Sequence, residues 1–211
     1  MQFRKNNRVL DEYLTVHKEA EGLYKEKGSK FIAKIFPVNA EEEIRALLTK
    51  LRKEYHDARH HCYAYRIGID EQKYRMNDDG EPSGTAGKPI YGQILSHELI
   101  NVLIVVIRYF GGTKLGVSGL INAYRSASRD VIANAMIITK QVLVKYNIHF
   151  NYPSLNTVMK IIKEEDAEIN SQDFSEQCTM QVSVHRKSAT KFEKRFSIFQ
   201  GVSLEKFYNA E

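Results

Sequence analysis

Apolar and polar positions along the chain follow two periods, and the switches between them mark out its elements. Residues 13–17 and 31–38 are rich in strand formers, and Gly28-Ser29-Lys30 before the second reads as a turn, which predicts an antiparallel pair. Asn39 then stands as an N-cap with Glu42 three residues on, and Ile44, Leu47, Leu48 and Leu51 fall on one helical face. Residues 60–69 alternate as a strand, with 73–76 as its hairpin partner. Residues 101–110 are nearly all apolar and β-branched, the pattern of a strand buried on both faces. After a glycine-rich turn, Leu120, Ile121, Tyr124, Val131, Ile132 and Ala135 describe a long helix.

From about residue 139 the pattern restarts. Residues 142–150 read as a strand, and Pro153 opens a helix with Leu155, Val158, Met159 and Ile162 on its inner face. Residues 168–174 and 178–185 alternate as two strands joined near Ser175-Glu176. Ala189, Phe192, Phe196 and Phe199 form a second helical stripe, which Gly201 stops before a last strand over 202–207. The order β-α-β-β-α-β is that of the ferredoxin-like split βαβ unit. The expectation is an α+β chain of two domains, 1–138 and 139–211.

Composition narrows the class. The 211 residues are 43% apolar and 27% charged, a globular balance that excludes disordered and collagen-like chains. The longest apolar run, residues 102–107, is far too short for a bilayer, and no apolar segment follows the basic first eight residues. Cys62 and Cys178 are too few for a disulfide framework or a closed zinc site. These features predict a soluble cytoplasmic protein without membrane contact. The net charge is +5, of which +4 lies before residue 139 and +1 after it, so any polyanion contact must come from local clusters.

The first such cluster is Arg108-Tyr109-Phe110-Gly111-Gly112-Thr113-Lys114-Leu115-Gly116-Val117-Ser118-Gly119. It reads as a buried strand, a turn with four glycines and a helix start. Gly111 and Gly112 let backbone N–H groups turn outward, Ser118 can cap, and Arg108 and Lys114 add full charges. The chemistry suits a phosphate or carboxylate, and it narrowly outweighs a turn whose glycines serve only close packing. The spacing is neither a P-loop nor a dinucleotide fingerprint.

The second cluster runs from Asn77 through Asp78, Asp79, Gly80, Glu81, Pro82, Ser83, Gly84, Thr85 and Ala86 to Gly87. Its three carboxylates suit a hard cation, but the spacing matches no EF-hand, and an acidic turn leading to Ser83 or Thr85 as a helix cap is favoured over metal. The third is His60-His61-Cys62-Tyr63-Ala64-Tyr65-Arg66. His60, Cys62 and Arg66 share one strand face, but with no third orienting group a structural cysteine is favoured over a nucleophile. Finally, Lys187, Lys191, Lys194 and Arg195 stand opposite the phenylalanine stripe, a face read first as solvated and second as a nucleic-acid track. The strand over 178–183 lacks the aromatics of an RNA-recognition motif. No catalytic set, metal set or cofactor motif is assigned.

Taken in order, Gly28-Ser29-Lys30-Phe31-Ile32-Ala33, residues 60–66, residues 78–87 and residues 108–116 resemble the YigZ/IMPACT family, and the tail resembles the extra domain of its bacterial two-domain members. The resemblance implies a ribosomal protein S5 domain 2-like fold followed by a ferredoxin-like one, a pair similar to the two C-terminal domains of elongation factor G. It also implies a link to translation, since eukaryotic relatives regulate translation through protein contacts in a different domain context.

The expected function is non-catalytic binding of RNA or a ribosome-associated component. His60, Arg66, Asp78, Asp79, Glu81, Arg108, Gly111, Gly112, Lys114 and Ser118 are its candidate residues, extended by Lys187, Lys191 and Lys194. One alternative is an enzyme acting on a phosphorylated small molecule, with the glycine-rich loop on phosphate, Asp78 or Asp79 on Mg²⁺ and His60 as acid or base. Another is a protein-interaction regulator.

Overall fold

The computed structural model describes residues 10–175 and 178–207. Over these the chain is a mixed α/β protein of two compact units, residues 13–140, and residues 10–12 with 141–207.

In the first unit the order is β1 (Glu12–Val16), β2 (Ala20–Glu26), β3 (Ser29–Pro37), α1 (Glu41–Glu54), β4 (His60–Ile67), β5 (Lys73–Asn77), α2 (Gly87–Ser96), β6 (Val102–Tyr109), α3 (Gly116–Asn134) and β7 (Ile137–Gln141). Five strands form an antiparallel sheet in the order β2-β3-β6-β4-β5. On one face Phe31, Ala33, Cys62, Ala64, Ile104 and Val106 pack with Ile90, Ile94, Ala123 and Tyr124 of α2 and α3. On the other, Ile32, Tyr63, Leu103 and Val105 pack with Ile44 and Leu51 of α1. Helices on both sides explain why β6, the central strand, is apolar at every position from 102 to 107.

The N-terminal pairing differs from the sequence expectation. β3 pairs with β2, not with residues 13–17; of these, 13–16 lie in β1, which pairs with β7. The hairpin turns through Lys27 and Gly28, with φ of 44° and 78°, the two positive values a two-residue hairpin of matching twist requires. β2 escaped notice because Glu21, Lys25 and Glu26 break its apolar pattern. Its outer edge is occupied by side chains of α3: Asp130 Oδ2 accepts the Leu23 N–H at 2.8 Å, and Asn134 Nδ2 donates to the Glu21 carbonyl at 3.0 Å. The cap of α1 also differs. Ala40 precedes the helix, Glu43 accepts the Asn39 N–H at 3.0 Å, and the Asn39 side chain instead takes a bond from Asn101.

The second unit runs β8 (Leu143–Phe150), a 3₁₀ turn (Tyr152–Ser154), α4 (Leu155–Glu164), β9 (Glu168–Asp173), β10 (Cys178–His185), α5 (Arg186–Phe196) and β11 (Val202–Phe207). Its antiparallel sheet has the order β11-β8-β10-β9. Tyr146, Ile148, Met180 and Val182 form the core with Val158, Ile161, Phe192 and Phe196. Met159 is half-exposed and Ile161 takes its expected place, while Phe199 lies beyond the end of α5. The expected turn at Ser175-Glu176 falls partly outside the described residues. Among the described residues no helix is long and apolar enough to cross a membrane.

Candidate functional site

Three of the motifs meet at one end of the five-stranded sheet. β4 begins with His60 and β6 ends near Arg108, and the antiparallel register sets these two residues opposite each other. The acidic loop before α2 and the glycine-rich loop before α3 complete this end.

The acidic loop is turned inward. Asp78 Oδ1 accepts the N–H groups of Ala86 and Gly87 at 2.9 Å each, and Oδ2 accepts that of Gly84 at 2.9 Å. Asp78 thus satisfies the open N-terminus of α2, the role the sequence assigned to Ser83 or Thr85. The Thr85 hydroxyl donates instead to the Pro82 carbonyl at 2.6 Å. Asp79 accepts Arg52 Nη2 at 2.8 Å and the His61 N–H at 2.7 Å. Both carboxylates are therefore engaged by protein donors. Among the described residues no group of His, Cys, Asp and Glu is arranged to hold a metal ion.

Glu81 is the centre of a buried polar network. Its Oε1 accepts Arg108 Nη1 at 2.5 Å and the Tyr124 hydroxyl at 2.9 Å, with the carboxylate and guanidinium side chains only 4% and 7% exposed. His60 Nδ1 donates to the Asp79 carbonyl at 2.8 Å, and its Nε2 lies 3.9 Å from Glu81. Cys62 Sγ sits 3.0 Å from the Asp78 carbonyl and 3.2 Å from the Tyr124 hydroxyl. Burial pushes both the thiol and that hydroxyl well above their ordinary pKa values, so neither offers an anion near neutral pH, and Cys62 is structural. Burial also holds the His61 imidazole below its usual value. Tyr124 and Arg52 were missed in the sequence. Tyr124 carried a signal, because a tyrosine inside an apolar helix stripe needs a partner for its hydroxyl.

The glycine-rich loop is turned outward. Gly112, Thr113, Lys114, Gly116, Val117 and Ser118 are all exposed. Gly111 has a packing duty: a Cβ there would lie 1.9 Å from the Gly28 carbonyl carbon, and its N–H donates to Ser29 Oγ at 3.1 Å. The loop thereby rests on the β2–β3 turn. Ser118 lies within the first turn of α3 and makes no side-chain cap. Arg108 is spent on Glu81, while its guanidinium carbon lies 5.4 Å from the Phe31 ring centroid and 5.7 Å from that of Phe110. Next to it, Tyr109 donates to Asp57 at 2.7 Å, which lifts its pKa to about 12.

The remaining candidates lie elsewhere. Arg66 pairs with Val102, six residues along β4 from His60 or roughly 20 Å, and bonds Gln72 and the Leu99 carbonyl. Lys187, Lys191 and Lys194 stand on α5 of the second unit. Lys187 and Lys194 are exposed, and Lys191 pairs with the buried Glu165 at 2.8 Å, which also takes Arg195.

Residues 27–132 match the Impact N-terminal domain. The chain is 30% identical over 181 residues to the IMPACT family member YigZ of Escherichia coli (strain K12), covering 85% of this chain and 89% of that protein. It is likewise 30% identical over 186 residues to the IMPACT family member YvyE of Bacillus subtilis (strain 168), covering 88% and 86%. A crystal structure of a hypothetical protein superposes with a TM-score of 0.72 at 27% identity, over 95% of this chain and all of that one.

Proposed function

The chain belongs to the IMPACT family, and from that premise we propose that it is a non-catalytic binding protein that engages RNA or ribosome-associated components in the cytoplasm and so bears on translation. The observation that carries this reading is the outward glycine-rich loop. Lys114 is exposed, as are Gly112, Thr113, Gly116, Val117 and Ser118, while the neighbouring groups fit for chemistry are bonded to one another inside the unit. Exposed N–H groups on glycines beside a lysine suit phosphate oxygens. The same reading gives the first unit the ribosomal protein S5 domain 2-like fold and the second the ferredoxin-like fold, with a junction at 138/139. The strand order β11-β8-β10-β9 and the division near residue 140 support those assignments.

Fluorescence anisotropy of labelled RNA at several salt concentrations tests the proposal. Affinity should fall with salt, and Lys114→Ala should make the slope of log K against log salt shallower by about one unit. Because Arg108 is bound to Glu81, Lys114 is the informative position. Flat or absent binding at low salt, together with no co-sedimentation with ribosomes, overturns the proposal.

A further inference from the structure

At the same end of the sheet, an exposed aromatic ring packs on a fixed arginine, with lysines on the two loops beside it. Phe110 is 49% exposed. One side of its ring meets the Arg108 guanidinium, which is itself fixed by Glu81 and backed by Phe31. An arginine clamped by a buried carboxylate does not wander, so the ring above it is held in one place with a face toward water. The contact between Gly111 and Gly28 then brings the β2–β3 turn alongside. That turn contributes Lys27, which is exposed. Lys114, four residues after Phe110 on the glycine-rich loop, is exposed as well.

We infer that Phe110 is a base-stacking platform for single-stranded RNA, with Lys27 and Lys114 as its phosphate contacts. An open aromatic face flanked by cations is what unpaired nucleotides require, since every base has a flat face and every linkage a charge. A duplex keeps its bases stacked on one another and offers such a ring nothing. This inference rests on the RNA reading above and sharpens it: the ligand is unpaired, and the β2–β3 turn belongs to the site. It also gives the Glu81–Arg108 pair a purpose as positioning residues, because they hold the ring without touching the nucleotide.

The protein contains no tryptophan, so Phe110→Trp installs a single reporter. Its fluorescence should be quenched on titration with unstructured RNA, and much less by an RNA duplex of equal length. Phe110→Ala should weaken single-stranded binding about 5- to 150-fold and leave duplex binding unchanged. Lys27→Ala should reduce the salt slope by about one unit. Circular dichroism identical to the parent establishes that each variant is folded. Unchanged affinity in Phe110→Ala, equal loss on single strand and duplex, or an unquenched tryptophan at saturation overturns the platform. If Lys114→Ala weakens binding while Phe110→Ala does not, the RNA reading stands and the platform alone falls. If the parent binds no RNA at low salt, both fall.

Discussion

Two loops of the first unit, residues 77–87 and residues 110–119, carry similar chemistry in sequence: several glycines, several polar or charged groups, and a helix directly after. Their structures are opposites. The first folds its carboxylates inward, onto the start of α2, the His61 N–H, Arg52, Arg108 and Tyr124. The second leaves Gly112, Lys114 and Gly116 exposed, and Leu115, which precedes α3, makes no side-chain cap. The difference lies in where each loop finds its counter-groups. An aspartate nine residues ahead of a helix start can fold back and supply the acceptors that the helix lacks. A lysine before a helix start cannot, because it has only donors to offer donors.

That contrast can be broken in order of size. Glu81→Ala leaves Arg108 charged in the interior and the Tyr124 hydroxyl without its acceptor, so urea unfolding should show a loss of ~3–5 kcal/mol. A double variant that also replaces Arg108 with Met should recover much of it, because the stranded charge is gone. Asp78→Ala uncovers the N–H groups at the start of α2 and should cost ~2 kcal/mol, with Asp78→Asn costing less.

Next comes pH. Burial raises the pKa of Cys62 and of Tyr124, so the folded chain keeps protons that the unfolded chain sheds. Their contribution is complete below about pH 8.5 and is lost as pH rises, at up to ~1.4 kcal/mol per pH unit for each group. Unfolding midpoints measured from pH 8 to 11 should fall, and Cys62→Ala should flatten the first part of that fall. His61 acts with the opposite sign: its depressed pKa stabilises the fold above about pH 6.5 and the benefit is lost as pH falls. The smallest effect belongs to the outward loop. Lys114→Ala should leave stability within ~0.5 kcal/mol of the parent, and a larger loss would show that the loop is structural after all.

Much of this architecture was legible in the hydrophobic pattern. β6 announced itself because a strand covered on both faces is apolar throughout, and α3, α5, β8 and β11 had clean periods. β2 and β7 were hidden because exposed polar residues interrupt them, and their pairing is decided by partners far along the chain. Within the candidate site the residue types were visible but their directions were not. Arg108 reads as a phosphate ligand until Glu81, 27 residues away, is found against it. Asp78 reads as part of an acidic turn before a helix that Ser83 or Thr85 caps, until it is found to hold the start of α2 itself. Phe110 looked like the last residue of a buried strand, and only the structure shows it standing half in water. Long-range pairing settles these points, and a single sequence does not contain it.

The seal that α3 places along β2 bears on how this molecule behaves when crowded. A five-stranded sheet with a bare outer strand offers a ready template on which another chain can stack its own backbone. Here Asp130 and Asn134 already occupy backbone groups at Leu23 and Glu21, so a neighbour would have to displace two side chains before adding a strand. At the opposite margin, β5 presents Lys73 and Arg75, which repel a second copy approaching in the same way. The sheet can therefore remain solitary at concentrations where an unguarded one would begin to grow fibres.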